Sequence, residues 1–235
     1  MLCPVLRATS PVVALCPGLL CISDRANSKF NTETVVSVKN FIIRGALLAS
    51  VDLSDAYMTW SIDPRFRQFL GFRWKGEVFF YKVLCFGLNM APRIFTKTFR
   101  RVLVFLRHVI HAWILAYLDD LLLQHLDAAV LHEQLILVVL VLHLLGYRVN
   151  WAKSDLIPSH RIIYLGFEWD TIAMTISLPQ EKVLKVQAMA GNLREAGQAT
   201  LKDLQTFMGT IESTRPAVVW APLHYRALQR LTVAG

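Results

Sequence analysis

The 235-residue chain is apolar and basic, with 54% hydrophobic residues, 18% charged residues and a net charge of +8. That composition excludes intrinsic disorder and is enough to bury a core in one domain or two small ones. Its four cysteines (Cys3, Cys16, Cys21, Cys85) form no Cys-x-x-Cys pair, and none of the seven histidines stands at ligand spacing beside them. Zinc and a disulfide framework are therefore not expected, and a reducing compartment fits.

Residues 1–27 mix proline, cysteine and small residues without a period, and no element is assigned there; poor order is expected. Pro11 and Pro17 interrupt the apolar stretch from Pro11 to Ile22, and Arg7 is its only preceding charge, which makes a poor signal peptide. From Thr32 to Ile43 the apolar spacing suits a helix, and Ala46 to Leu53 reads as a buried strand ending in acid. Gln68–Trp74 and Val78–Leu84 flank Lys75-Gly76-Glu77 and predict a hairpin. Pro92 opens an amphipathic helix through Arg107, with a core face of Ile94, Phe95, Phe99, Val102, Leu103 and Leu106.

Trp113 to Leu123 predicts a second hairpin, apolar except for Asp119-Asp120 at its centre. Ala128 to Leu145 predicts a helix stopped by Gly146. Its apolar run, Leu135–Leu142, falls far short of the roughly 20 residues of a spanning helix, so it reads as one face of a buried helix and no membrane partner is expected. Tyr164–Trp169 and Met174–Leu178 predict two short strands. Ser177-x-x-Gln180 reads as a capping box opening a helix to Ala196, and Thr200-x-x-Asp203 opens another to Ser213. The order of elements predicts an α+β domain over residues 28–178, followed by a small helical segment over 179–235.

The charge is concentrated. Between Asp63 and Arg107 lie Arg65, Arg67, Arg73, Lys75, Lys82, Arg93, Lys97, Arg100, Arg101 and Arg107, opposed only by Asp63 and Glu77. Phe66, Phe69, Phe72, Trp74, Phe79, Phe80 and Tyr81 are interleaved with them. Cations and aromatic faces suit a nucleic-acid backbone and its bases, while a solvated basic surface is the plainer alternative.

Asp52 ends one apolar strand, and Asp119 and Asp120 interrupt another. Desolvating a lone carboxylate costs several kcal/mol, so acids in apolar strands need a cation or a donor. All-oxygen ligation favours Mg²⁺ or Mn²⁺, and two such ions about 4 Å apart are a standard device for in-line phosphoryl transfer. Taken alone, Asp-Asp would more simply form a turn. The apolar flanks, the upstream strand acid and the basic aromatic stretch between them favour the metal.

Five segments, in order, resemble the reverse transcriptases (RNA-directed DNA polymerases): Val51-Asp52-Leu53-Ser54-Asp55-Ala56-Tyr57, Leu84-Cys85-Phe86-Gly87-Leu88-Asn89-Met90-Ala91-Pro92-Arg93-Ile94-Phe95, Tyr117-Leu118-Asp119-Asp120, Gly146–Ser154 and Tyr164-Leu165-Gly166-Phe167. The similarity covers roughly Lys29 to Leu178. Pro216-Ala217-Val218, with Pro222–Gln229, is most similar to retrotransposon enzymes of the tyrosine-recombinase (DIRS-type) group. The resemblance implies an α+β right-hand palm, an antiparallel sheet with packed helices, together with incomplete fingers and a small helical thumb or connection.

It also implies roles for particular residues. Asp52 and Asp119 would bridge two Mg²⁺ ions (or Mn²⁺), with Asp120 in support and the Leu53 carbonyl as a further ligand. Leu53, Asp55, Ala56, Tyr57, Phe86 and Gly87 would form the nucleotide pocket, with Tyr57 as a steric gate against a 2′-hydroxyl. Lys153 would protonate the leaving pyrophosphate, an exposed lysine being the alternative. Leu165 and Gly166 would grip the primer end, and Arg65, Arg67, Arg73, Lys75, Arg93 and Lys97 would hold nucleic acid. The implied partners are an RNA or DNA template with its primer, deoxynucleoside triphosphates, and the element's ribonuclease H and recombinase.

Met58-Thr59-Trp60-Ser61 departs from the family's usual Phe-x-x-Pro, and Cys85 stands where proline is usual. The family's triphosphate-holding basic residues have no recognisable counterpart before Lys29, and no ribonuclease H constellation is present. A truncated or decayed copy with weak or absent activity alone is therefore expected. A non-catalytic nucleic-acid-binding remnant is the alternative. No targeting signal stands out, which leaves nucleus and cytoplasm open and gives no reason to expect secretion.

Overall fold

The computed structural model describes residues 5–8 and 34–234. Within the segment that sequence left without an element, Val5–Ala8 forms a strand, β1. Residues 9–33, with the Pro11–Ile22 stretch and the start of the expected α+β domain, lie outside the described residues.

The centre is a four-stranded antiparallel sheet built from β2 (Leu47–Ser54), β5 (Trp113–Tyr117), β6 (Asp120–His125) and β7 (Arg148–Val149), in the order β5-β6-β2-β7. Successive side chains on a strand face opposite sides, and the sequence exploits this. Ala49, Val51 and Leu53 of β2, Ile114 and Ala116 of β5, and Leu121 and Leu123 of β6 enter one core; Leu48, Leu115 and Leu122 enter the other. Both faces are apolar, so these strands read as continuous hydrophobic runs rather than alternating ones.

Helix α1 (Val35–Phe41) precedes β2 and sends Val38 into the second core. Buried Gln124 of β6 fixes the exit of this helix: its amide donates to the Phe41 carbonyl and its oxygen accepts from the Ile43 N–H. After a short helix, α2 (Pro64–Arg67), strands β3 (Gly71–Trp74) and β4 (Glu77–Tyr81) form the expected hairpin, and β1 pairs with the outer edge of β4. The turn uses Lys75 (φ 49°) and Gly76 (φ 82°), two left-handed residues that match the strand twist.

Helix α3 (Ala91–Val109) starts with Pro92 in its first turn, where no intrahelical N–H is lost. Phe95, Phe99, Leu103 and Leu106 recur at helical spacing and are buried in the first core, while Ile94, expected among them, is exposed. The Phe95 and Phe99 rings stack at 5.2 Å, and Tyr147 meets Phe99 edge-on at 5.3 Å. Helix α4 (Ala128–Leu144) is capped by Asp127, which accepts from the Ala129 and Val130 N–H groups. Its apolar run is not buried throughout: Leu135, Val138 and Leu142 face the core, whereas Ile136, Leu137 and Leu140 are exposed. Among the described residues no helix is long and apolar enough to cross a membrane.

On the opposite face lies a small sheet of β8 (Arg161–Tyr164), β9 (Phe167–Asp170) and β10 (Thr175–Ser177). The strand expected over Tyr164–Trp169 is broken, because Leu165 (φ 51°) and Gly166 (φ 73°) turn the chain between β8 and β9. Helices α5 (Gln180–Ala196), α6 (Leu201–Glu212) and α7 (Ala221–Ala234) complete the chain. The capping box expected at Ser177 does not form: α5 begins after Pro179 without a side-chain cap. The box at Thr200 and Asp203 does form, with Thr200 Oγ1 accepting from the Asp203 N–H at 3.2 Å.

Candidate active site

The strand register brings the acids together. Asp52 near the end of β2 is paired directly with Asp120 at the start of β6, and Asp119 occupies the β5–β6 turn between Leu118 and Asp120. Leu118 sits at φ 55°, where a branched residue is strained by about 1–2 kcal/mol. The Leu53 N–H donates to the Asp119 carbonyl at 3.0 Å, tying the strained turn to the neighbouring strand.

The backbone around Asp52 is held from the other side. Its N–H donates to Ser154 Oγ at 3.0 Å, its carbonyl accepts from the Asn150 N–H at 2.8 Å, and the Ser154 hydroxyl donates to the Asn150 carbonyl at 2.8 Å. The Tyr164 hydroxyl donates to the Asp120 carbonyl at 2.9 Å. Sequence reading quoted Asn150, Ser154 and Tyr164 within motifs but gave them no role. No pattern in the chain marks such long-range contacts to backbone groups.

Burial, reinforced by the charges of Asp119 and Asp52 and opposed by Lys153, pushes the Asp120 carboxyl up to about 6. Burial also raises Asp119, with Asp52 adding to the rise and Lys153 opposing it. Lys153 is exposed, yet its charge reaches both acids. Among the described residues no group of three His, Cys, Asp or Glu side chains is gathered in ligating geometry. The chemistry of the donors nonetheless fits a hard divalent cation. They are half-buried carboxylates whose mutual repulsion a proton relieves at Asp120 and a cation would relieve better.

Next to these acids, Asp55 takes a left-handed conformation (φ 52°) that starts a single 3₁₀ turn over Ala56–Thr59. Arg148 of β7 pairs with Asp55 at 2.9 Å. The turn buries Ala56 and Tyr57. The Tyr57 ring lies 5.0 Å from Phe86 and 5.2 Å from Phe95, and burial, with the nearby charge of Asp119, raises its hydroxyl pKa. Phe86 is exposed, and Gly87 (φ 85°) follows with open space where a Cβ would stand. Buried Cys85 fills the position where proline was expected.

The basic residues are spread over three elements. Arg65 is paired with Asp63 at 2.8 Å, and Arg67 Nε donates to the Ile62 carbonyl at 2.8 Å, so both have internal partners. Arg73 and Lys75 are exposed on the β3–β4 hairpin; Lys97 is exposed and Arg93 half-buried on α3. Part of the aromatic interleaving is structural, since Phe72 packs on Phe79 at 5.7 Å and on Tyr81 at 5.0 Å. Trp74 and Phe66 are exposed.

A family model described as reverse transcriptase (RNA-dependent DNA polymerase) matches residues 25–169, more than half of the chain. The Pro-Pol polyprotein of simian foamy virus type 3 is 32% identical over 126 residues, covering 54% of this chain and 10% of that protein. Protein P of duck hepatitis B virus (isolate Shanghai/DHBVQCA34) is 24% identical over 170 residues, covering 71% of this chain and 21% of that protein. The chain therefore spans no more than about a fifth of these relatives. A foamy viral protease-reverse transcriptase solved with double-stranded DNA superposes with a TM-score of 0.65 at 21% identity, over 88% of this chain and 38% of that one. The same kind of protein solved with an RNA/DNA hybrid gives 0.65 at 20% identity, over 88% and 29%. These likenesses show a common α+β polymerase-like fold.

Proposed function

Because the chain belongs to the reverse transcriptase (RNA-dependent DNA polymerase) family, we propose that it is a template-directed polymerase domain adding deoxynucleotides to a primer 3′-hydroxyl. The observation that carries this reading is the pairing of Asp52 with Asp120 beside the strained turn that presents Asp119.

Asp52 and Asp119 would hold two Mg²⁺ ions, with Asp120 in support and the Leu53 carbonyl as an added ligand; Mn²⁺ would suit the same oxygens. When bound, the ions lower the pKa of the attacking hydroxyl and neutralise the leaving oxygens. The protein residues do the rest. Tyr57, braced by Phe86 and Phe95, closes the space a 2′-hydroxyl would need. Leu53, Asp55, Ala56, Phe86 and Gly87 line the nucleotide site, and Lys153 delivers a proton to the leaving pyrophosphate. Leu165 and Gly166 position the primer end. Arg73, Lys75, Arg93 and Lys97 hold the template and primer, joined by Arg65 and Arg67 where their internal partners release them.

We assign the chain further to a retrotransposon of the tyrosine-recombinase type, a reading supported by Pro216-Ala217-Val218 and Pro222–Gln229. On that reading a ribonuclease H and a recombinase are its functional partners.

Primer extension on poly(rA)–oligo(dT) with Mg²⁺ tests the proposal. Extension by wild type and not by Asp119→Asn/Asp120→Asn supports it. Duplex binding without extension by wild type would instead make the chain a non-catalytic nucleic-acid binder.

A further inference from the structure

Pro216-Ala217-Val218 carries no part of the chemistry, yet its loop is tied to the rest of the chain from two directions. Lys39 of α1 donates to the Pro216 carbonyl at 2.9 Å, and Ala217 packs against the core that contains Val38 and Trp169. Lys182 of α5 donates to the Ser213 carbonyl over a longer 3.4 Å.

Lys182 also touches the β8–β9 turn. Its ammonium lies 4.8 Å over the Phe167 ring, and a Cβ placed on Gly166 would meet it at 3.9 Å. Lys182 stands in the first turn of α5, the end of a helix that disfavours a cation. Burial, with Lys185 nearby, lowers its pKa. A lysine with no task there would extend into water. This one is held by a ring face on one side and by a carbonyl at the C-terminal end of α6 on the other, both of which attract a cation.

We infer that Lys182 is a positioning residue that fixes the Leu165-Gly166 turn against the loop between α6 and α7. Its catalytic consequence rests on the polymerase reading above: through this side chain the helical segment adds to the packing of Leu165 and Ala217 on a shared core and sets the turn placed at the primer end.

Hydrogen exchange of the full chain, followed by mass spectrometry, tests the tie without requiring activity. In Lys182→Met, amides of residues 163–168 and 213–217 are expected to exchange about tenfold faster together, with Lys182→Arg recovering most of that protection. Unchanged exchange in the β8–β9 turn, or acceleration confined to α5, would overturn the inference. Where wild type extends a primer, Lys182→Met is expected to slow first-nucleotide addition about tenfold at unchanged primer–template affinity. Weaker affinity at an unchanged rate would also overturn it. If wild type extends no primer, the polymerase reading fails, while the exchange experiment still decides whether the tie exists.

Discussion

The hydroxyl of Tyr164, on the last residue of β8, donates to the main-chain carbonyl of Asp120 at 2.9 Å. This bond joins the hairpin turn at Leu165-Gly166 to the paired acids. Tyr164→Phe removes that donor and leaves the ring in place. It is expected to lower unfolding free energy in urea by about 1 kcal/mol, the usual net value of one such bond. First-nucleotide addition should slow as well, since the turn and Asp120 are then less firmly linked. Unchanged stability and rate would show that the bond links nothing.

Asp120 makes the metal-free protein pH-sensitive. Its carboxyl is raised to about 6 from an ordinary 3.8. The native state therefore keeps a proton that the unfolded chain has already released, and this group's contribution to stability falls as pH rises from about 4 to 6. With chelator present, Asp120→Asn is expected to stabilise the protein at pH 7 by about 1–2 kcal/mol, after allowance for partial solvent screening. The gain should shrink steadily as pH falls from about 6 to 4 and vanish well below pH 3.8, where both states are protonated. Denaturant titrations at pH 7 and pH 4 check both the sign and the window.

Tyr57 packs on Phe86 and Phe95 and is almost fully buried. Tyr57→Val opens the space that the proposed gate closes. Discrimination against ribonucleotides should fall at least about tenfold, the scale on which small changes in pocket volume act. Competition between dTTP and UTP in single-nucleotide addition measures this. Equal discrimination in both proteins would reduce Tyr57 to a packing residue.

Phe99 sits between Phe95 and Tyr147 in the first core. Phe99→Ala leaves a void that the sheet and α4 cannot readily close, and should cost about 3–5 kcal/mol. Chemical denaturation gives the value directly. A loss below 1 kcal/mol would mean that the helix repacks freely.

Local signals were legible wherever one residue type decides the backbone. Pro92 in the first turn of α3, Gly76 in the β3–β4 turn and Thr200 before α6 all stand where sequence placed them. Where two signals competed, the sequence misled. Tyr164–Trp169 has the apolar character of one strand, but Leu165 accepts a left-handed conformation beside Gly166 and the segment folds back on itself. Ser177 has a capping spacing, but Pro179 starts α5 and Ser177 remains in β10. The position of Asp52 at the end of a strand was readable from the apolar run. Its pairing with Asp120 depends on β2 and β6 meeting in one register, set by contacts 68 to 78 positions apart in the chain, which no local pattern encodes.

The most direct measurement is single-nucleotide incorporation of dTTP on poly(rA)–oligo(dT) across a Mg²⁺ titration, for wild type and Asp52→Asn. Metal assistance is worth several kcal/mol of transition-state stabilisation, so losing a ligand should slow incorporation by at least about 10²-fold. Weak but saturable Mg²⁺-dependent incorporation by wild type, lost in Asp52→Asn while duplex binding persists, is the predicted result. Incorporation that is independent of Mg²⁺, or equal in the two proteins, would contradict the assignment of these carboxylates as the centre of a polymerase.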